Sequence, residues 1–217
     1  MSRIALIGGH GKVALLAASQ LTADGHEVDA IIRNPDQADE VAVTGANPVV
    51  ADVEQAGTEQ LAELLRGHDQ VVWSAGAGGG NPGRTEAVDR DAAIRSMDAA
   101  TAAGVPRYVM VSYFGASRQH GVPEDNPFFA YAEAKAAADE HLRGTDLAWT
   151  ILMPSSLTDG PGTGRIDARA SESGDVPRAD VAAVLAAVCN ADEQQVAGRE
   201  IRFNTGDTPI GEVIADR

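Results

Sequence analysis

Arg3-Ile4-Ala5-Leu6-Ile7-Gly8-Gly9-His10-Gly11-Lys12-Val13-Ala14 is the stretch that decides the fold of this chain. Ile4 to Ile7 form a short apolar run, and a strand apolar on both faces belongs in a parallel sheet covered on both sides. Glycine ends the run. Gly8 and Gly11 permit backbone angles and a close approach that a side chain would block, and Lys12 to Gln20 continue at helical spacing through Val13, Leu15, Leu16 and Ala17. The pattern reads as strand, tight turn, helix. A helix starting at such a turn directs its free N–H groups and the positive end of its dipole at one spot, which favours a phosphate anion there. The spacing is Gly8-x-x-Gly11-x-x-Ala14, with Ala14 where close packing of helix on strand needs a small residue. In a chain with 23 glycines a plain strand-to-helix turn satisfies the same spacing, so the next strand has to separate the two readings.

That strand runs from His26 to Ile32 and ends at Arg33, nineteen residues past Ala14. An acidic residue near this position accepts from the ribose 2′-hydroxyl of NAD, whereas an arginine suits the 2′-phosphate of NADP. Arg33 therefore points to NADP rather than NAD; the other reading is a solvated charge ahead of the Asn34-Pro35 turn. Asn47 to Ala51 reads as a third strand, followed by Asp52-Val53. Asp52 is placed to accept from an adenine amino group while the Val53 backbone pairs with the ring, or else to serve as a helix cap or turn residue.

Further along, Asp69 to Ser74 reads as a fourth strand running into Ala75, Gly76 and Ala77, small residues that can lie against a cofactor. The glycines after them read as a mobile loop or a lid. Helices are expected over Thr85 to Ala103, Asn126 to Arg143 and Arg178 to Cys189, and strands over Arg107 to Ser112, Leu147 to Met153 and Glu200 to Phe203. Alternating strands and helices with short joints imply an α/β doubly wound parallel sheet, a Rossmann fold, with strand order 3-2-1-4-5. Residues 1–217 are read as one dinucleotide-binding domain, and the glycine-rich segment 155–174 as a substrate-facing loop.

Composition narrows the function classes. A net charge of −15 and a pI near 4.6, with no Lys/Arg cluster, argue against nucleic acid as a partner. The apolar runs are too short to span a bilayer, and a first strand starting at residue 3 leaves no room for a signal peptide, so a cytoplasmic protein is expected. Cys189 is the only cysteine and the histidines show no paired metal spacing, so no metal site is expected. Of 17 basic residues only Lys12 and Lys135 are lysine, and a lone lysine among arginines marks places where a compact ammonium with an adjustable pKa is useful.

Lys135 belongs to a second motif, Tyr131-Ala132-Glu133-Ala134-Lys135. It sets a phenol and an ammonium four residues apart on one helix face. An ammonium beside a phenol stabilises phenolate, so Tyr131 is expected to exchange a proton with a carbonyl or alcohol, with Lys135 also reaching ribose hydroxyls. Ser112, at the end of the fifth strand and 19 residues before Tyr131, is placed to hold the substrate oxygen.

With these motifs the chain resembles the short-chain dehydrogenase/reductase superfamily over nearly its whole length. It is most similar to the small atypical members described as NAD(P)H-binding or sugar-epimerase-like proteins, which are related to NADPH-dependent flavin and biliverdin reductases. The specific pieces are Ile7 to Ala14, Gly104 to Ser112, Tyr131 to Glu140, and Thr150 to Pro154 running into Leu157 to Gly164. The resemblance implies an NADP(H)-dependent enzyme with Ser112, Tyr131 and Lys135 at the catalytic centre. It also implies cofactor contacts from Gly8, His10, Gly11, Lys12, Val13, Arg33 and Lys135, and from Pro154, Ser155 and Ser156 after the sixth strand. The chain departs from many relatives in having Met153 where they have arginine, and Ser155 and Ser156 where reductase-type relatives carry histidine. A small carbonyl, quinone, flavin or sugar-type substrate is expected, handled by a monomer. A non-catalytic redox sensor and an epimerase that retains its cofactor are the alternatives.

Overall fold

The computed structural model describes residues 1–78 and 81–216; Gly79 and Gly80, in the expected loop or lid, lie outside the described residues. The first half of the chain contributes β1 (Arg3–Ile7), α1 (Lys12–Ala23), β2 (Glu27–Ile32), α2 (Ala38–Ala42), β3 (Asn47–Val50), α3 (Thr58–Leu65) and β4 (Gln70–Trp73). It continues through α4 (Pro82–Thr85), a π-helical segment over Glu86–Ala92, α5 (Ala93–Ala103), β5 (Arg107–Val111), α6 (Phe129–Arg143) and β6 (Ala148–Pro154). The remainder forms β7 (Ser156–Thr158), β8 (Arg165–Asp167), β9 (Asp175–Pro177), α7 (Arg178–Asn190), α8 (Glu193–Val196), β10 (Arg199–Thr205), β11 (Thr208–Pro209) and α9 (Ile210–Ala215).

The main sheet has the order β11-β8-β10-β6-β5-β4-β1-β2-β3, parallel from β10 to β3. The expected 3-2-1-4-5 order is present within it. The period of two in β1 explains how the sheet is covered. Ile4 and Leu6 enter one apolar core with Leu21 of α1 and Val184 and Leu185 of α7, while Ala5 and Ile7 enter the other with Leu65 of α3 and Met97 of α5. Strand order reverses between β1 and β4, so the carboxyl ends of those two strands open a crevice. At the opposite end the buried Asp29 carboxylate accepts from Arg3 (Nη2, 2.6 Å) and Asn47 (2.7 Å) and stands 3.0 Å from His68 Nε2, so its charge is met within the fold.

Three sequence expectations change. The helix expected over Thr85 to Ala103 is divided, with the π-helical segment Glu86–Ala92 ahead of α5. The segment 155–174 is not wholly irregular: it contains β7, which pairs with β9, and β8, which pairs antiparallel with β10 and β11. Three-residue strands carry too short a pattern to be read by periodicity. The helix expected from Asn126 begins at Phe129, after a turn in which Asn126 Oδ1 accepts from the Phe128 N–H. Among the described residues, no helix is long and apolar enough to cross a membrane.

Candidate dinucleotide and substrate cleft

The glycine turn is built for close approach. Gly8 has φ +84°, and a Cβ there would lie 2.6 Å from the main chain of Ala75. Gly9 packs so tightly on Ala30 that its Cβ would come within 2.7 Å of the Ala30 methyl. Gly11 donates to the Gly8 carbonyl at 2.9 Å and caps α1 without a side-chain hydrogen bond, and no acidic residue stands in the first turn. The first N–H groups of α1 therefore remain available at the crevice, with the positive end of the helix dipole behind them. This donor set fits the diphosphate of a dinucleotide.

Two cavities meet at this turn, sharing Gly11, Ser74, Ala75 and Gly76. One, of about 400 Å³, is lined by Gly8, His10, Arg33, Asp52 and Val53 together with Glu54 and Arg84. The other, of about 880 Å³, is lined by Lys12, Val13, Ala77, Asp89, Ser112, Phe128, Tyr131, Leu157 and Arg178. Together they form one cleft across the carboxyl ends of the central strands, with Arg33, Asp52, Glu54 and Arg84 at one end and Asp89, Ser112 and Tyr131 at the other. Most of the residues singled out in the sequence meet here.

Lys135 does not. Its ammonium is buried, donates to the Val111 carbonyl at 2.8 Å and contacts the Met110 sulfur at 3.3 Å, beneath β5 rather than in the cleft. Burial pushes its pKa down, against the attraction of Asp139 and Asp89. The expectation that it reaches ribose hydroxyls is corrected accordingly: the side chain bends under the strand to satisfy a main-chain carbonyl. The expectation for Tyr131 changes with it. Its phenol pKa is pushed up, by burial first and then by the Asp89 and Asp139 carboxylates. Tyr131 therefore stands in the cleft as a neutral phenol rather than a phenolate.

Pro154, Ser155 and Ser156 also lie away from both cavities. Ser155 Oγ bonds to Asn204 Oδ1 and accepts from the Gly174 N–H at 3.2 Å, and the Ser156 N–H donates to the Gly174 carbonyl at 3.0 Å. Ser155 is thus held against β10 and Ser156 against the start of β9, and Leu157 is the residue of this segment that reaches the cleft. At the mouth, Asp159 bridges Lys12 (3.0 Å) and Arg178 (2.7 Å).

Two carboxylates escaped the sequence reading. Asp139 is fully buried and accepts from Ser112 Oγ at 2.5 Å. Asp89 is 2% exposed, lines the cleft from the π-helical segment and accepts from the Ala77 N–H at 3.1 Å. Burial raises both pKa values, opposed in each case by Lys135. Their signals were present: Tyr131, Lys135 and Asp139 follow one another at four-residue spacing, as do Thr85, Asp89 and Ala93 on an inward face.

Comparison with known proteins agrees with this geometry. The model of a family described as NAD(P)H-binding matches residues 8–192. An uncharacterized sugar epimerase of Bacillus subtilis, YhfK, is 33% identical over 217 residues, covering 98% of this chain and 98% of its own. Among solved structures, a Bacillus halodurans protein assigned as an NAD-dependent epimerase/dehydratase superimposes with a TM-score of 0.90 at 32% identity, over 100% of both chains. ChuY, an anaerobillin reductase of Escherichia coli O157:H7, superimposes with a TM-score of 0.77 at 25% identity, over 95% of this chain and 98% of its own. By its glycine turn, its sheet and these matches, the chain belongs to the NAD(P)H-binding family.

Proposed function

We propose that this protein is an NADP(H)-dependent oxidoreductase acting on a small carbonyl, quinone, flavin or sugar-type substrate. The observation that carries the reading is the continuity of the cleft, which joins the glycine turn and Arg33 to Tyr131 and Ser112. A nicotinamide cofactor bound there supplies or accepts a hydride at the substrate carbon. The α1 N-terminus would hold the diphosphate, Asp52 and Val53 the adenine, and Arg33 the 2′-phosphate.

Tyr131 gives its phenolic proton to the substrate oxygen in the reductive direction and recovers it from solvent or from the alcohol in reverse. Its elevated pKa keeps that proton in place until charge develops on the oxygen. Ser112 has a narrower role than holding a carbonyl. Its hydrogen is committed to Asp139, so toward the cleft its oxygen accepts, and it orients a substrate that offers a hydroxyl beside the reacting centre. Lys135 supports β5 and offsets the charge of the two buried carboxylates.

The direct test is to incubate the protein with NADPH and a panel of quinones, flavins, aldehydes and keto sugars while following absorbance of the reduced cofactor. Oxidation above background supports the reading, and tight cofactor binding without turnover across the panel contradicts it. The names of the two Bacillus relatives favour a second reading, epimerisation with retained cofactor. It is distinguished by conversion of a nucleotide sugar with no net change in that absorbance.

A further inference from the structure

The adenosine end of the cleft holds a charge arrangement that Arg33 alone does not reveal. Arg33 Nη1 lies 3.3 Å and Arg84 Nη2 3.6 Å from the same oxygen, Glu54 Oε2. The three side chains come from three places in the chain, after β2, after β3 and in α4, and all line the cavity beside the glycine turn. Glu54 is the more enclosed partner, its side chain 17% exposed against 56% for Arg33 and 38% for Arg84. Both contacts are long for charge-assisted pairs, which usually close to about 2.8 Å, so Glu54 sits between the guanidinium groups without fully engaging either. Asp52, the other carboxylate in this cavity, is turned to its own loop, where Oδ1 accepts from the Glu54 N–H at 3.0 Å.

We infer that Arg84 is a second cation for the ribose 2′-phosphate, and that Glu54 is an internal counter-anion which that phosphate must displace, so that Glu54 sets how strongly the cleft prefers NADP(H) over NAD(H). The inference rests on the proposed NADP(H) reading and deepens it. A phosphate monoester has three acceptor oxygens and nearly two negative charges, a match for two guanidinium forks converging on one point. Glu54 already occupies that point with a single charge. An unphosphorylated ribose instead presents a 2′-hydroxyl donor, which a carboxylate accepts, so Glu54 assists NAD(H) and competes with NADP(H). The cavity thus carries both devices, and the balance between them is a property of Glu54.

The experiment is fluorescence titration of the full chain with NADPH and with NADH, for the parent, Glu54→Gln, Arg84→Gln and Arg33→Ala. Glu54→Gln keeps size and hydrogen-bonding capacity while removing charge, and it should tighten NADPH about tenfold while NADH binding stays level or weakens. Arg84→Gln should weaken NADPH about tenfold with NADH changed by less than about twofold. Because Arg84 also donates to the Ala77 carbonyl at 3.2 Å, an equal loss of both cofactors in Arg84→Gln would assign it a structural role and overturn its part. An unchanged NADPH-to-NADH ratio in Glu54→Gln would overturn the inference. If Arg33→Ala still lowers NADPH affinity in that case, the NADP(H) reading survives without it. If the parent binds both cofactors equally and Arg33→Ala changes nothing, both fall.

Discussion

The hydroxyl of Ser112 donates to the buried carboxylate of Asp139 at 2.5 Å, and the other oxygen of that carboxylate, Oδ1, has no hydrogen-bond partner among the described residues. A strand-end serine facing the cleft is thereby tied to a carboxylate on α6, one turn beyond Lys135. Ser112→Ala removes a hydrogen bond to a fully buried acid and should lower stability by about 1–3 kcal/mol, read as a shift in the urea midpoint. An unmoved midpoint would mean that the pair contributes nothing to folding.

Tyr131→Phe should lower turnover by about 10²-fold or more while leaving cofactor affinity unchanged. The parent should show no rate inflection near neutrality, because burial, Asp89 and Asp139 hold the phenol above its ordinary range. As a proton donor, Tyr131 should lose activity only on the alkaline side. A pH–rate profile rising through neutrality with deprotonation of one group would instead indicate a phenolate base.

Lys135→Met should destabilise the protein by about 3 kcal/mol, since it leaves Asp139 and Asp89 buried without the ammonium that does most to offset their charge. Cofactor affinity in the folded variant should be retained, as the ammonium is bonded to the Val111 carbonyl and lies outside the cleft. Loss of affinity without loss of stability would restore the ribose-anchoring role expected from the Tyr-x-x-x-Lys spacing.

Stability should also fall at high pH. Burial raises the Cys189 thiol from its ordinary 9.0 to about 12. A group whose folded pKa is raised contributes fully below its unfolded pKa and loses that contribution as pH rises toward the folded value. The urea midpoint should therefore decline between pH 9.0 and about 12, and Cys189→Ala should flatten the first part of the decline. Equal slopes in parent and variant would assign the loss to the buried tyrosines instead.

The frame of the molecule was legible because its signals are local. The Ile4–Ile7 run, the glycines at 8 and 11 and the small residues at 75 to 77 each state their own geometry, and together they place the crevice where β1 and β4 part. Distance in the chain hid the rest. Glu54 and Arg84 meet Arg33 only where two loops and α4 come together, and the β7–β9 pairing beside Ser155 and Ser156 involves three residues on each side. The four-residue spacing of Tyr131 and Lys135 placed them on one helix face, yet it could not tell that the ammonium turns beneath β5. That outcome depends on the Val111 carbonyl, which accepts from the ammonium, and on the charges of Asp139 and Asp89 around it.

In the proposed function a dinucleotide lies with its diphosphate against the turn from Gly8 to Ala14. Isothermal calorimetry of the parent and of Gly8→Ala with NADPH tests it most directly, because a Cβ at Gly8 meets the Ala75 backbone at 2.6 Å and its φ of +84° disfavours any side chain. One NADPH should bind per chain in the parent, and binding should be lost in a Gly8→Ala protein that still melts cooperatively. Absence of heat with both NADPH and NADH in the parent, or undiminished binding in the variant, would contradict it.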